Sequence, residues 1–261
     1  MTPIALTIAG SDPGGGAGIQ ADLKTFHQFD VYGTSVVTLI TVQNTVRATR
    51  VETLDAELVG EQFDAVLEDL TPQAIKTGAL GTAKIIEAIA ARRFACPLVV
   101  DPVMIGKHGA MLMSIDARSA LKRLLMPRAA LITPNLDEAE ELAGIPVRDV
   151  ESMREAAKRI ADLGVRSVLV KGGHLEGQAV DILWHDGVFT EFRGSRIETR
   201  HTHGTGCAYS AAIVACLARG VAMVEAVGAA KKFVHEAIRS APGLGAGSGP
   251  LNFSAATIAR D

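Results

Sequence analysis

Short apolar runs alternate with longer stretches of helical spacing along almost the whole chain. Residues 4–9 form the first such run and end in a glycine-rich turn. Residues 17–29 then carry Ile19, Leu23 and Phe26 on one side, the stripe of an amphipathic helix. Residues 36–42 are rich in β-branched side chains and predict a buried strand. The alternation continues with helices over 58–70 and 83–91 and strands over 74–77, 98–100 and 130–133. Helices over 137–143 and 153–163 lead to a strand over 167–170. Residues 180–184 and 188–192 flank His185-Asp186-Gly187 and predict a hairpin. Helices over 204–218 and 223–238 close the core, and 241–250 is irregular.

Apolar strands alternating with helices imply an α/β fold whose mostly parallel sheet is covered on both faces. Such sheets bind ligands beyond the carboxyl ends of their strands. Polar clusters fall at those ends: Ser11-Asp12, Gln43-Asn44-Thr45, Lys76-Thr77-Gly78, Asp101-Pro102, Asn135 and Lys171.

The 261 residues are 48% hydrophobic, enough for one large core, and residues 1–261 are read as a single domain. A net charge of −3 without a dominant basic patch argues against a nucleic-acid partner. The N-terminal residues lack the layout of a signal peptide, and no long uncharged apolar stretch predicts a membrane span. Three cysteines without a Cys-x-x-Cys pair point to a reducing, cytoplasmic setting.

Three glycine-rich turns carry candidate chemistry. Gly10-Ser11-Asp12-Pro13-Gly14-Gly15-Gly16-Ala17-Gly18 joins a strand to a helix. It satisfies the loose pattern G-x-G-x-x-A, but the next strand ends in Gln43 rather than the acid a dinucleotide ribose needs. No Lys-Ser/Thr follows, so it is not a P-loop; a plain turn, close approach to a small substrate or a mobile lid are the readings left open. Lys171-Gly172-Gly173-His174 is either a turn or a point charge for a nucleotide phosphate. His203-Gly204-Thr205-Gly206-Cys207 opens an apolar helix. Its Cys207 is either a buried structural thiol or part of an anion hole built from helix N-terminal amides. In the second reading the helix terminus lowers the thiol pKa. Asn135-Leu136-Asp137-Glu138 is either a helix cap with acids in its first turn or a pair of oxygen ligands for Mg²⁺-bound water. Together these turns favour a kinase that does not use a P-loop.

The motifs Ala9-Gly10-Ser11-Asp12-Pro13, Gly15 onward to Thr25, Gln43-Asn44-Thr45, Asp101-Pro102-Val103-Met104, Thr133-Pro134-Asn135-Leu136, Lys171-Gly172-Gly173-His174 and His203 to Cys207 stand in the order of a known family. The chain resembles the hydroxymethylpyrimidine/phosphomethylpyrimidine kinases of thiamine biosynthesis, members of the ribokinase-like superfamily, over nearly its whole length. The resemblance implies a three-layer α/β/α sandwich and two ATP- and Mg²⁺-dependent phosphorylations: of 4-amino-5-hydroxymethyl-2-methylpyrimidine, then of its monophosphate. By carry-over, Gln43 would hydrogen-bond the pyrimidine edge. Gly10, Ala17 and Val103 would line the ring pocket, and Asp22 would face the hydroxymethyl group. Lys171, Gly173, Asn135 and Lys231 would serve the nucleotide, and Asn135 and Glu138 the metal. Cys207 stands where most relatives in the superfamily carry a catalytic Asp, among Gly204, Thr205 and Gly206, with His203 cooperating from a lid. Ala79 replaces a Met common beside the pyrimidine, which implies a looser pocket. A homodimer is implied as well. The rivals are a pyridoxal kinase on the same scaffold, a sugar or nucleoside kinase, a non-catalytic pyrimidine sensor and a dinucleotide oxidoreductase.

Overall fold

The computed structural model describes residues 2–173, 175 and 179–257. Its centre is a nine-stranded sheet of order β3-β2-β1-β4-β5-β6-β7-β8-β9. The strands are β1 (Ile4–Ser11), β2 (Tyr32–Gln43), β3 (Ala48–Thr53), β4 (Ala74–Thr77), β5 (Leu98–Val100), β6 (Leu131–Ile132), β7 (Ser167–Gly172), β8 (Ala179–His185) and β9 (Val188–Gly194). From β2 across to β7 all neighbours pair in parallel; β3, β8 and β9 are antiparallel additions at the two edges.

Side-chain alternation along the strands builds two cores. Leu6, Ile8, Leu98, Val100 and Ile132 point into one layer. It is closed by helices α2 (Ala56–Asp69), α3 (Ala83–Ala90), α4 (Ile115–Ala120), α5 (Leu136–Ala143) and α6 (Val150–Ala161). Ala5, Ala74, Val99, Leu131 and Leu169 point into the other, under α1 (Gly18–Gln28), α7 (Thr205–Ala218) and α8 (Met223–Arg239). The expected three-layer sandwich is therefore the fold. Helix α7 is apolar nearly all round because it lies between α1 and α8 and on β1, β4 and β5.

The expected elements recur, with differences that have physical causes. β2 begins at Tyr32, before its apolar run, because parallel pairing with β1 orders the polar start; Thr34 Oγ1 donates to the Ala5 carbonyl at 3.1 Å. β3 was not expected: it is a half-exposed edge strand of polar residues, with Arg50 and Glu52 paired on its surface. Such an edge carries no apolar run to reveal it. α4 was not expected either. It is capped by Ser114, which accepts from the Ala117 amide, and it continues through a π-turn over Leu121–Leu125.

No helix among the described residues is long and apolar enough to cross a membrane.

Candidate active site

The carboxyl ends of β1, β2, β4, β5, β6 and β7 open onto one cavity of about 890 Å³. The polar clusters noted in the sequence meet there. Gly10, Ala17, Gln43, Val103, Asn135, Glu138, Lys171, Gly173, Lys231 and the run from His203 to Cys207 all line it. His174 lies outside the described residues.

The glycine turn after β1 is organised by Asp12, to which the sequence assigned no role. One carboxylate oxygen accepts the Gly14 amide at 2.8 Å, and the other accepts the amides of Gly16 and Ala17 at 3.0 and 2.8 Å. His203 Nε2 lies 2.9 Å from that second oxygen. Burial opposes the charge on Asp12, yet hydrogen bonds from His203, Gln43 and Gly14 hold its pKa at about 2. Two glycines make this packing possible. Gly18 has φ +56, and a Cβ there would lie 2.2 Å from the Gly10 carbonyl oxygen. Gly204 has φ +80, and its Cβ would lie 1.7 Å from the Gly16 carbonyl oxygen. These glycines admit another stretch of backbone, so the turn and the start of α7 interlock.

Helix α7 begins without a side-chain cap. The Thr205 amide and hydroxyl both donate to the Thr202 carbonyl, at 3.3 and 2.8 Å. Among the described residues, the amides of Gly206 and Cys207 donate to no acceptor, so the anion cup narrows to these two donors. Gly206 also gives Lys171 room: a Cβ there would lie 3.3 Å from Lys171 Nζ. Lys171 is paired with Asp101 at 3.0 Å, and Asp101 also accepts from Thr133 Oγ1 at 3.2 Å and Ser210 Oγ at 3.1 Å. Burial works against both charges. Asp101 is nonetheless held below the usual carboxylate range by Lys171 and Lys76, and Lys171 is held above the usual amine range by Asp101 and Glu138.

Two expectations are corrected. Asp22 does not face the cavity. It is fully buried on α1, where it accepts from Lys76 Nζ at 2.7 and 2.8 Å and from Thr7 Oγ1 at 2.6 Å. It sits on the inward stripe with Ile19 and Phe26, so helical phase removes it from any substrate. The thiol of Cys207 is half-buried and lines the cavity, but its pKa moves up to about 11, not down. Burial dominates and the Asp22 and Asp101 carboxylates add to it; Lys76 and a hydrogen bond from the Gly18 amide offset only part.

Asn135 and Glu138 form a capping box at the start of α5. The Glu138 amide donates to Asn135 Oδ1 at 2.9 Å and the Asn135 amide to Glu138 Oε2 at 2.8 Å. The cap does not take Glu138 away from the cavity. Burial lifts its pKa to about 7, Lys171 draws it back, and Asp101 adds to the rise. The Lys171 amide donates to the Pro134 carbonyl at 2.8 Å, which holds this turn beside β7. Lys231 on α8 pairs with Asp181 at 2.7 Å, and Asp181 accepts the Gly172 amide at 3.0 Å, tying α8 to the glycine turn after β7.

Asp12, Lys76 and Asp101 stand in the strand-end clusters of the sequence, but the sequence gives none of them a role. A lone lysine inside the apolar stretch 74–80 was the available signal for a buried charge pair.

Comparison with known proteins gives the family and the fold. The chain matches the family model described as Phosphomethylpyrimidine kinase over residues 12–252. It is 50% identical over 258 residues to the hydroxymethylpyrimidine/phosphomethylpyrimidine kinase of Rhizobium meliloti, with 97% of each chain covered. Its structure is similar to an ADP complex of Bacillus subtilis pyridoxal kinase, with a TM-score of 0.91, 39% identity and 98% of both chains covered. It is also similar to phosphomethylpyrimidine kinase from Clostridium difficile, with a TM-score of 0.81, 44% identity, and 90% of this chain and 99% of that one covered.

Proposed function

Because the chain belongs to the phosphomethylpyrimidine kinase family, a family of phosphotransferases, we propose that it phosphorylates 4-amino-5-hydroxymethyl-2-methylpyrimidine with ATP and then phosphorylates the monophosphate. The observation that carries the reading is one shared cavity. The open amides of Gly206 and Cys207, the ammonium of Lys171 and the side chain of Gln43 all border it. Phosphoryl transfer spreads charge over the moving group's oxygens, so fixed donors at that point supply most of the catalysis.

In this reading Gln43 meets the pyrimidine edge, and Gly10, Ala17 and Val103 bound the ring. Gly206, Cys207 and Lys171 hold the group in transit, while Gly204 and Thr205 shape the cup that presents them. His203 acts through Asp12 by locking the glycine turn against that cup. Cys207 takes the alcohol's proton as its thiolate. Lys231 and Gly173 bound the nucleotide end. A magnesium ion fits Asn135 and Glu138. A buried carboxyl raised to about 7 gains from a dication, and magnesium takes one or two carboxylates alongside water and substrate phosphates. When bound, it neutralises charge between the nucleotide phosphates.

A second reading is favoured by the similarity to a pyridoxal kinase over 98% of both chains and by Ala79, whose small side chain borders the cavity: pyridoxal as a slower substrate. We assign the enzyme to the cytoplasm as a homodimer. Support comes from three free cysteines and from exposed Ile40, Val42 and Val46 by the β2–β3 edge.

Incubation with ATP, Mg²⁺ and the pyrimidine alcohol, with products resolved by anion exchange, tests the reading. The monophosphate should appear first and the diphosphate follow, with ADP equal to the monophosphate plus twice the diphosphate. ATP loss without a phosphorylated pyrimidine contradicts it, and a faster rate on pyridoxal makes the second reading the main one.

A further inference from the structure

Among the described residues, six Lys and Arg side chains border the cavity, and they differ in what already holds their charge. Lys76, Lys171 and Lys231 are paired with Asp22, Asp101 and Asp181 at 2.7, 3.0 and 2.7 Å, and Arg118 lies 3.6 Å from Glu141. Arg196 donates to the carbonyls of Gly173 and Leu175. Lys107 is held by less than any of these: its ammonium donates to the Thr202 hydroxyl at 3.1 Å, whereas the exposed Arg196 serves two carbonyls and the other four face carboxylates.

The flap that carries Lys107 is a tight hairpin. Ile105 and Met111 bridge across it, the Gly106 amide donates to the Ala110 carbonyl at 2.8 Å, and the Gly109 amide to the Gly106 carbonyl at 2.9 Å. Thr202 is the residue whose carbonyl takes both donors of Thr205. The contact therefore sets Lys107 at the rim of the anion cup, and Val103 and Gly106 of the same segment line the same cavity.

The two acceptors of the proposed reaction differ there by charge. The alcohol is neutral, whereas a phosphomonoester carries a charge of roughly −1.5 to −2 near neutral pH. A cation already matched by a carboxylate gains little from meeting it. One that gives up only a hydroxyl gains a charge-assisted hydrogen bond.

We infer that Lys107 selects the pyrimidine monophosphate for the second transfer by moving its ammonium from Thr202 to the monophosphate's oxygens. This rests on the proposed function and deepens it. In that transfer a monophosphate oxygen bonds the γ-phosphorus of ATP while the bond to the ADP oxygen breaks, its electron pair leaving with ADP. Lys107 holds charge and moves no proton.

The test compares the parent with Lys107→Met and Lys107→Arg, each assayed separately on the alcohol and on the purified monophosphate. The ratio of second-step to first-step kcat/KM should fall about tenfold in the Met variant, through KM for the monophosphate, and largely return in the Arg variant. Added salt should lower the ratio in the parent more than in the Met variant. A ratio in the Met variant close to the parent's, or an equal loss of kcat on both substrates, overturns the inference. If the parent turns over neither pyrimidine, the proposed function fails, and calorimetry still decides Lys107. Weaker monophosphate binding in the Met variant supports it; equal affinity, including binding by neither, overturns it.

Discussion

Two lysines stand one residue before the end of parallel strands, Lys76 in β4 and Lys171 in β7, and each is followed two positions later by glycine. Each pairs with a buried aspartate, yet they do different things. Lys76 donates to both oxygens of Asp22, the side chains are wholly buried, and Thr7 completes the carboxylate. Lys171 makes one 3.0 Å contact with Asp101, whose other bonds go to Thr133 and Ser210, and its ammonium approaches the cavity beside Gly206. An ammonium has three donors. In the sealed pair they serve the fold; in the open pair some remain for a ligand. The difference lies in the neighbour: α1 covers the sealed pair with Asp22 itself, whereas a glycine at the start of α7 leaves the open pair accessible.

The sealed pair should matter chiefly to stability. Asp22→Asn leaves Lys76 buried without its counter-charge and should cost about 3–5 kcal/mol in urea unfolding. A midpoint like the parent's would break the comparison.

The open pair should matter chiefly to rate. Lys171→Met should lower kcat/KM about 10²–10³-fold, the usual loss of one donor to developing charge. Steady-state kinetics that match the parent would make Lys171 a structural residue like Lys76.

Glu138 reports on the surroundings of the open pair. Its folded-state pKa of about 7 lies above the ordinary 4.5, so the protein binds more protons than the unfolded chain between those values. Its stabilising contribution is complete below the lower value and is lost as pH rises through the upper one, up to about 3 kcal/mol. Glu138→Gln should flatten that part of a stability profile; an unchanged slope assigns the titration to another group.

Cys207 feels both pairs, through Lys76 and Asp22 of the sealed one and Asp101 of the open one. With its thiol pushed up to about 11, kcat should rise with pH above neutrality. Cys207→Ala should remove that rise and lower kcat about 10²-fold. A flat parent profile, or a variant within a few-fold of the parent, contradicts its role as base.

Much of this was legible in the residues. The alternating runs gave the parallel sheet and its helices, the hairpin after β7 was marked by Asp186-Gly187, and the strand-end clusters converged on one edge as expected. β3 escaped because a polar edge strand owes its order to pairing rather than to its own pattern. Asp22 was misassigned, although its place between Ile19 and Phe26 on one helical stripe announces an inward side chain. The direction of the Cys207 shift was not legible: a helix N-terminus is a local signal, whereas burial and the approach of Asp22 and Asp101 depend on the fold. The glycine turns leave room for a ligand or a plain turn open in the sequence, and Gly18 and Gly204 give room to the protein's own backbone.

The most direct test of the central claim is a crystal structure with ADP, Mg²⁺, the pyrimidine alcohol and aluminium fluoride, which mimics a phosphoryl group in flight. The fluoride should sit within hydrogen-bond reach of the Gly206 and Cys207 amides and of Lys171 Nζ, in line with the hydroxymethyl oxygen. Fluoride seated away from the start of α7, with those amides facing solvent, would contradict the account.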